Sequence, residues 1–241
     1  MKIYIIRHGE SMATRDPTLF AHTDPRKVPL TQWGYEQAID TGRILEELYA
    51  NTPELQGRRL RIYHSPHTRI AQSKDGFLQG IKNQFISSIQ EDPLLREREH
   101  GRFDGLDEEA QRNLHPDIYE KLHSQNSYER YTTQMPDGES IKDVQNRLRN
   151  FIAKMTKEVS PGEDAVIITH GGNCRALEDN LTHYDAEWPS DFIPPGTGDI
   201  IQVDTTLKEP GTSKIIHEGK KRMASMPQDY KAAAYDSGMR L

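Results

Sequence analysis

The sequence has very little cysteine, no long apolar run and no excess of positive charge. Cys174 is the only cysteine among the 241 residues, so the chain can form no intrachain disulfide, and a reducing compartment is expected. No stretch approaches the roughly 20 apolar residues of a membrane-spanning helix, and the first residues lack the order of a signal peptide. We therefore expect a cytoplasmic protein that does not enter a membrane.

The charge balance also excludes one class of partner. The formal net charge is -6, from 31 basic and 37 acidic residues. Proteins that hold nucleic acid electrostatically usually carry a basic domain or stripe, so nucleic acid is not an expected partner. A small anionic ligand in a locally basic pocket remains compatible with this balance, and the composition is that of a globular protein.

Short β-branched and aromatic runs recur along the chain and predict strands. They lie at residues 3–6, 60–64, 85–89, 164–170 and 199–204. Helical patterns stand between them at residues 32–49, after Ser65-Pro66, and after residues 136–140. This alternation predicts an α/β fold, namely a three-layer sandwich in which a mostly parallel sheet has helices on both faces.

Two segments depart from the alternation. Residues 101–137 are polar and poor in strand patterns, and we expect a lid-like excursion over the carboxyl edge of the sheet, helical around residues 108–122. Residues 218–241 lack sustained periodicity and are expected to form a polar C-terminal tail, preceded by an edge strand near residues 215–217. The predicted organisation is one α/β domain over residues 1–217, followed by that tail.

Polar clusters stand where three of the predicted strands end. They are Arg7-His8-Gly9, His64-Ser65-Pro66 leading to Arg69, and Thr169-His170-Gly171-Gly172. Ligands of open α/β sheets bind outside the carboxyl ends of the strands, and glycine lets the backbone approach such a ligand closely. A lone histidine at a strand end is usually only a polar cap. Two His-Gly pairs after two separate strands predict a shared site.

Two histidines and two arginines at one sheet edge suit phosphoryl transfer. Neutral imidazole is a nucleophile near physiological pH, and guanidinium groups neutralise phosphoryl oxygens with directional hydrogen bonds. Arg7 and Arg69 would supply that charge, while His170 could donate to the same oxygens. The leaving alkoxide then needs a proton from a general acid.

These residues belong to a longer series of motifs. In chain order the series is Arg7–Ser11, Pro29-Leu30-Thr31 with Gly34 and Gln37-Ala38, Ser65-Pro66 with Arg69 and Gln72, Leu95–Gly101, Asp137–Ser140 and Thr169-His170-Gly171. The series resembles the histidine phosphatase superfamily, which contains cofactor-dependent phosphoglycerate mutases and fructose-2,6-bisphosphatases. The neighbourhoods of residues 29–31 and 136–140 also resemble, more loosely, small fungal and plant phosphoglycerate mutase-like proteins.

The resemblance implies a role for each matching residue of the phosphate pocket. His8 would be the phosphorylated nucleophile, and Arg7 and Arg69 would clamp the phosphoryl oxygens. His170 would complete the pocket, assisted by the amide of Gly171. Neither a cofactor nor a metal ion is expected.

The proton donor of the family falls in the segment Leu95–Gly101. Glu97 matches its position, but Glu99 is an alternative because the segment reads Arg-Glu-Arg-Glu. The residues that we expect to bind the substrate are Thr14, Arg15, Glu99, His100 and Gly171.

Three departures separate the chain from the mutases. Thr14 stands where they carry an asparagine that contacts the phosphate, and a hydroxyl cannot replace both donors of an amide. His100 replaces a tyrosine, and Glu108 replaces a lysine that holds the substrate carboxylate, which Glu108 would repel. The expected function is therefore a phosphomonoester hydrolase, with a 2,3-bisphosphoglycerate-dependent phosphoglycerate mutase as the alternative.

Two further classes compete with this prediction. The ten histidines and the sequence His64-Ser65-Pro66-His67 suggest a metal hydrolase, but a zinc site usually needs three or four convergent ligands. A non-catalytic phosphate-binding member of the fold would be expected to lose at least one of the site residues. The expected partner is a small phosphorylated substrate, and a homodimer is the alternative to a monomer.

Overall fold

The computed structural model describes residues 1–183, 194–206 and 209–219. Within these ranges six strands form one sheet: β1 (Lys2–Arg7), β2 (Arg59–His64), β3 (Ile86–Glu91), β4 (Glu163–Thr169), β5 (Ile200–Asp204) and β6 (Thr212–His217). Their order is β3-β2-β4-β1-β5-β6. The predicted strands are confirmed to within two residues at each end, and the expected edge strand is β6.

Four neighbouring strands of the sheet are parallel. β3, β2, β4 and β1 run in one direction, whereas β5 and β6 pair antiparallel. The register sets Arg7 of β1 opposite Thr169 of β4, and His64 of β2 opposite Ile168. Since parallel strands end at the same edge, the segments that follow β1, β2 and β4 meet there.

Helices cover both faces of the sheet. They are α1 (Met12–Arg15), α2 (Gln32–Asn51), α3 (Thr68–Gly80), α4 (Glu108–Leu114), α5 (Pro116–Leu122), α6 (Ser127–Thr132), α7 (Ile141–Glu158) and α8 (Gly171–Thr182). Apolar residues of α2 and α3 pack on one face of the sheet, and those of α7 and α8 pack on the other. The predicted three-layer α/β sandwich is confirmed.

The apolar run of β1 is buried on both faces, as its lack of polar residues indicates. Side chains alternate along a strand, so Ile3 and Ile5 enter the core under α7 and α8, whereas Tyr4 and Ile6 enter the core under α2 and α3. Full burial of each isoleucine stabilises the fold by about 1.5–3 kcal/mol. β1 is thus a rigid support for the residues that follow it.

The excursion of residues 101–137 contains the short helices α4, α5 and α6. Its ends lie together, because the Arg102 amide donates to the Pro136 carbonyl at 2.8 Å. The predicted helix over 108–122 is divided at His115, since Pro116 begins a new helix there. The predicted tail lies outside the described residues from residue 220 onward.

None of the helices in the described ranges has the length and apolarity that a membrane crossing requires.

Candidate active site

Three loops bring His8, Arg69 and His170 together at the carboxyl edge of the sheet. His8 follows β1, His170 follows β4, and their ring centroids lie 5.6 Å apart. Arg69, in the first turn of α3, donates from Nη2 to Nδ1 of His170 at 3.1 Å. Only 5 % of His8, 3 % of Arg69 and none of His170 is exposed. The sequence-predicted residues of the three strand ends therefore share one buried site.

The His8 ring is held in one tautomer. Its Nδ1 lies 2.7 Å from the carbonyl oxygen of Gly9, and because a carbonyl only accepts, we assign the proton to Nδ1. Burial lowers the pKa of His8 well below its ordinary value, and the neighbouring Arg69, His170 and Arg7 lower it further. His8 is thus a neutral imidazole with its lone pair on Nε2, which is the nucleophilic form.

Gly9 is required by packing against α2. A Cβ on Gly9 would lie 1.9 Å from the carbonyl oxygen of Gly34, and a Cβ on Gly34 would lie 2.0 Å from that of Glu10. Such contacts are far inside van der Waals distance, so the two glycines allow the start of α2 to approach the chain beside His8. The sequence predicts that Gly9 lets a ligand approach the backbone closely. The contacts with Gly34 show instead that Gly9 lets α2 approach.

Arg7 is fixed from the side of β5. Its backbone amide donates to the carbonyl of Asp199 at 3.3 Å, and its Nη1 donates to the carbonyl of Pro195. A Cβ on Gly171 would lie 3.2 Å from the guanidinium carbon, so Arg7 lies against the start of α8. Its Nε is buried and has no hydrogen-bond partner, which makes it a donor that a ligand could satisfy.

Arg69 connects two loops to His170. Its Nη1 donates to the carbonyl of Pro25 at 2.7 Å, while Nη2 lies 3.5 Å from Oε2 of Glu97. These contacts hold the guanidinium plane in place before a ligand arrives. Such preorganised donors are more effective than mobile ones, because they do not reorganise during the reaction.

His170 is completely buried and neutral. Burial lowers its pKa to about 4, although the carboxylate of Glu97 opposes the shift. Its Nδ1 lies 3.1 Å from Nη2 of Arg69, and its Nε2 is hydrogen-bonded to the Ser65 hydroxyl at 2.9 Å. Ser65 therefore sets the orientation of His170.

Glu97 faces the site and Glu99 does not. Oε2 of Glu97 lies 3.2 Å from Nδ1 of His170, and only 25 % of its side chain is exposed. Glu99 is 57 % exposed and pairs with Arg96 at 3.0 Å. The two carboxyl groups that the sequence leaves as alternatives thus have different surroundings.

The free site keeps Glu97 ionised. Burial raises the pKa of Glu97, but the nearby His170 and Arg69 outweigh burial and hold it well below its ordinary value. A carboxylate cannot donate a proton. Glu97 can act as an acid only after a ligand has changed the charges around it.

The remaining sequence-predicted contacts lie farther out. Thr14 is exposed, and its hydroxyl accepts from the Ser11 amide at 3.2 Å and lies 2.9 Å from the Ser11 hydroxyl. Its hydroxyl is thereby engaged in the capping box of α1. Arg15 lies 3.8 Å from a Glu10 oxygen, and His100 lies 3.5 Å from Asp104. Substrate binding by these three residues stays a prediction.

His67 is a buried site residue that the sequence suggests only as a metal ligand or a polar contact. Its ring centroid lies 4.7 Å from that of His170, and its Nδ1 is buried without a hydrogen-bond partner among the described residues. Burial, with a smaller effect of the neighbouring His170 and Arg69, lowers the pKa of His67 to about 3. The sequence signal was the histidine directly after Ser65-Pro66.

Replacing His67 by leucine is expected to stabilise the protein, and more so in acid. Leucine removes a buried polar atom without a partner, which should raise the free energy of unfolding at pH 7 by about 1 kcal/mol. Below the unfolded pKa of about 6.5 only the unfolded chain protonates this histidine, so the wild type loses stability as the pH falls. The gain from leucine should therefore be up to about 2 kcal/mol larger at pH 5 than at pH 7.

Urea unfolding at both pH values measures this difference. His22→Leu is the control, because His22 is exposed and should not alter the pH dependence. A His67→Leu protein whose stability falls with pH as steeply as that of the wild type would contradict the assigned burial of a neutral ring.

The histidines of the second strand end are not arranged as ligands of a metal ion. Nδ1 of His64 lies 3.1 Å from the Ser65 carbonyl oxygen, and the charges that act on its pKa belong to Lys74, Glu91 and Asp75. In the described part of the chain, no three His, Cys, Asp or Glu side chains are grouped so that they could hold a metal ion.

A mostly parallel α/β sheet with a buried histidine–arginine site at its carboxyl edge narrows the class of protein, and comparison with known families identifies it. The family described as "Histidine phosphatase superfamily (branch 1)" matches residues 3–212. The chain belongs to this superfamily, and the family predicted from its motifs is confirmed.

Individual relatives are distant but extend along most of the chain. The phosphoglycerate mutase-like protein AT74 of Arabidopsis thaliana is 23% identical over 93% of this chain and 71% of its own length. The 2,3-bisphosphoglycerate-dependent phosphoglycerate mutase 2 of Lactobacillus johnsonii is 24% identical over 87% of this chain and 90% of its own.

Solved structures share the fold at low sequence identity. The alpha-ribazole phosphatase of Shigella flexneri superposes with a TM-score of 0.65 at 18% identity, covering 89% of this chain and 95% of its own. A mycobacterial glucosyl-3-phosphoglycerate phosphatase, in a complex with VO3, gives 0.63 at 19% identity, covering 91% and 99%.

Proposed function

We propose that the protein is a phosphomonoester hydrolase that acts through a phosphohistidine intermediate on His8. The observation that carries the proposal is the protonation state of His8. Its buried ring is neutral, and its Nδ1 donates to the Gly9 carbonyl, so the lone pair lies on Nε2. Arg7, Arg69 and His170 surround this nucleophile with donors. A phosphoryl group is an anion that needs such donors as it is transferred.

In the first step, Nε2 of His8 attacks phosphorus while the bond from phosphorus to the ester oxygen breaks. The electron pair of that bond stays on the leaving oxygen, which takes a proton from Glu97. In the second step, a water oxygen attacks phosphorus while the bond from phosphorus to Nε2 of His8 breaks. The electron pair of that bond returns to Nε2, and the proton that the water loses passes to the Glu97 carboxylate. The products are an alcohol and inorganic phosphate, with His8 and Glu97 restored.

The substrate itself supplies the change that Glu97 needs. A phosphoryl dianion beside Arg69 and His170 competes for the positive charge of Arg69 and for the hydrogen bonds of both residues, and it adds a like charge near the carboxylate. Both effects raise the pKa of Glu97 from its low value in the free site. Glu97 therefore becomes an acid only when a substrate is bound, and its 3.2 Å contact with His170 supports a position beside the phosphoryl group.

Hydrolysis is favoured over mutase activity by the residue at position 108. Glu108 is exposed on α4, and its carboxylate lies 3.4 Å from the Tyr119 hydroxyl. The resemblance to the mutases implies a lysine at this position for the substrate carboxylate, and Glu108 has the opposite charge. The relative from Lactobacillus johnsonii keeps a mutase as the second candidate. Interconversion of the two phosphoglycerates that depends on bisphosphoglycerate would identify that activity.

A panel of phosphate esters tests the proposal with the wild-type protein. The panel includes nitrophenyl phosphate, alkyl and sugar phosphates and the phosphoglycerates, each assayed with and without a metal chelator. We expect release of inorganic phosphate from at least one ester, and no loss of rate in chelator, because the proposed steps use only side chains. Absence of any hydrolysis, or activity that disappears with chelator, would contradict the proposal.

A further inference from the structure

The segment that carries Glu97 is held in place by side chains from other elements. After a short 3-10 turn over Pro93–Leu95, the chain from Arg96 to Glu99 has no regular structure, so no helix or strand fixes its shape. The carbonyl groups before Glu97 instead accept from three side chains: Arg147 bonds Leu94 at 2.6 Å and Arg96 at 3.1 Å, Asn173 bonds Leu95 at 2.9 Å and Arg96 at 2.7 Å, and Thr169 bonds Leu95 at 3.0 Å.

Glu139 holds the other side of Glu97. Its amide donates to the Glu99 carbonyl at 2.8 Å, and its Oε2 accepts from the Glu99 amide at 3.1 Å. Its Oε1 accepts from Arg96 at 2.7 Å, and its own carbonyl accepts from Nε of Arg98 at 3.0 Å. The residues immediately before and after Glu97 are both bonded to this one glutamate.

Arg147 and Glu139 form a two-bond ion pair beneath the segment. Nε of Arg147 lies 2.9 Å from Oε1, and Nη2 lies 3.0 Å from Oε2. Both residues are buried, with exposures of 7 % and 8 %. A buried ion pair is often no more stabilising than apolar residues of the same volume, because both charges lose their hydration. Stability alone therefore gives little reason to bury this pair.

We propose that Glu139 and Arg147 are positioning residues for the proton donor, and that they set the place of Glu97 at the leaving-group side of the site. Among the described contacts, neither side chain bonds to His8, Arg7 or Arg69; both act through the backbone of residues 94–99 and, for Glu139, also through the Arg96 side chain. This inference rests on the proposed function, in which Glu97 is the general acid. A displacement of about 1 Å in such a group can lower a rate by about 100-fold.

The test compares two leaving groups in Glu139→Gln. The amide keeps the size of the side chain but replaces one acceptor oxygen with a donor that faces Arg147 or the Glu99 amide. We compare kcat/KM, which reports only the first step. We expect kcat/KM for an alkyl phosphate to fall about 10- to 100-fold, and kcat/KM for nitrophenyl phosphate, whose leaving group needs little protonation, to change by less than about 3-fold. Asp137→Asn is the control, because it breaks only the exposed pair with Arg102 in the same loop.

A double variant separates positioning from general damage. If Glu139 acts through Glu97, adding Glu139→Gln to Glu97→Gln should lower the alkyl phosphate rate no further. Equal losses on both substrates in Glu139→Gln, or additive losses in the double variant, would overturn the positioning role. Should Glu139→Gln fail to fold, Arg147→Lys replaces it in the test, because lysine keeps the charge but loses the two-bond geometry. The same two comparisons apply: the loss with alkyl phosphate against the loss with nitrophenyl phosphate, and the further loss when Glu97→Gln is added.

The outcomes also distinguish this inference from the proposed function. If Glu97→Gln itself lowers the rates with both substrates equally, the assignment of Glu97 as the acid fails, and the inference fails with it. If Glu97→Gln is selective for the alkyl ester and Glu139→Gln is not, only the positioning inference fails.

Discussion

Replacing His8 by alanine is expected to lower kcat by roughly 10⁴-fold or more on every ester that the wild type hydrolyses. Alanine leaves Arg7, Arg69 and His170 in place, so phosphate should still bind. No other neutral imidazole stands where Nε2 of His8 stands, and water would have to attack without the intermediate. The loss should occur with every leaving group, because each ester reacts through attack by His8.

His64→Ala is the matched control for this variant. His64 also ends a parallel strand, is buried, and has Nδ1 near the carbonyl oxygen of the next residue at 3.1 Å. The groups that act on it lie away from Arg69 and His170, so its removal should cost stability and little activity. Retention of full activity in His8→Ala, or an equal loss in both alanine variants of folded protein, would contradict the role of His8.

The second large effect is expected for Glu97→Gln, and it should depend on the leaving group. General acid catalysis contributes about 10²–10⁴-fold, so hydrolysis of an alkyl phosphate should slow by about that factor. The first step with nitrophenyl phosphate should slow far less, because nitrophenolate leaves without a proton. Measurement of kcat/KM, which reports only this first step, for a series of esters with increasing leaving-group pKa gives the comparison.

The pH dependence of the same variant adds an independent criterion. In the complex with substrate Glu97 must be protonated, so kcat for the alkyl ester should fall as the pH rises through its pKa in that complex. Glutamine cannot titrate, and this alkaline decline should be absent from Glu97→Gln. Because His8 has a pKa well below 6.5, it should cause no loss of activity between neutral pH and about pH 6.5. A Glu97→Gln profile with the wild-type decline would rule out Glu97 as the acid.

Much of the fold and of the phosphate pocket could be predicted from sequence, because both depend on local patterns. An apolar run such as Ile3–Ile6 marks a buried strand, and parallel strands necessarily bring their carboxyl ends to one edge. His8, Arg7 and His170 follow such strands directly. Their convergence therefore needed only the correct order of strands and helices.

Other features depend on distant contacts that no local pattern records. The different surroundings of Glu97 and Glu99 follow from the contacts of Glu97 with Arg69 and His170, which come from other elements. Likewise, the need for glycine at residue 9 comes from Gly34, 25 positions along the chain. The engagement of the Thr14 hydroxyl by Ser11 is local, but its capping geometry became evident only from the position of α1.

The central claim is that the phosphoryl group passes through His8, and trapping of that intermediate tests it most directly. The wild-type protein is mixed rapidly with an ester carrying a labelled phosphoryl group, quenched in alkali, digested and mapped by mass spectrometry. We predict label that is stable in alkali, labile in acid and attached to His8, and no label in His8→Ala. Hydrolysis by the wild type with no labelled protein at any time, or label at another residue that persists in His8→Ala, would contradict the account.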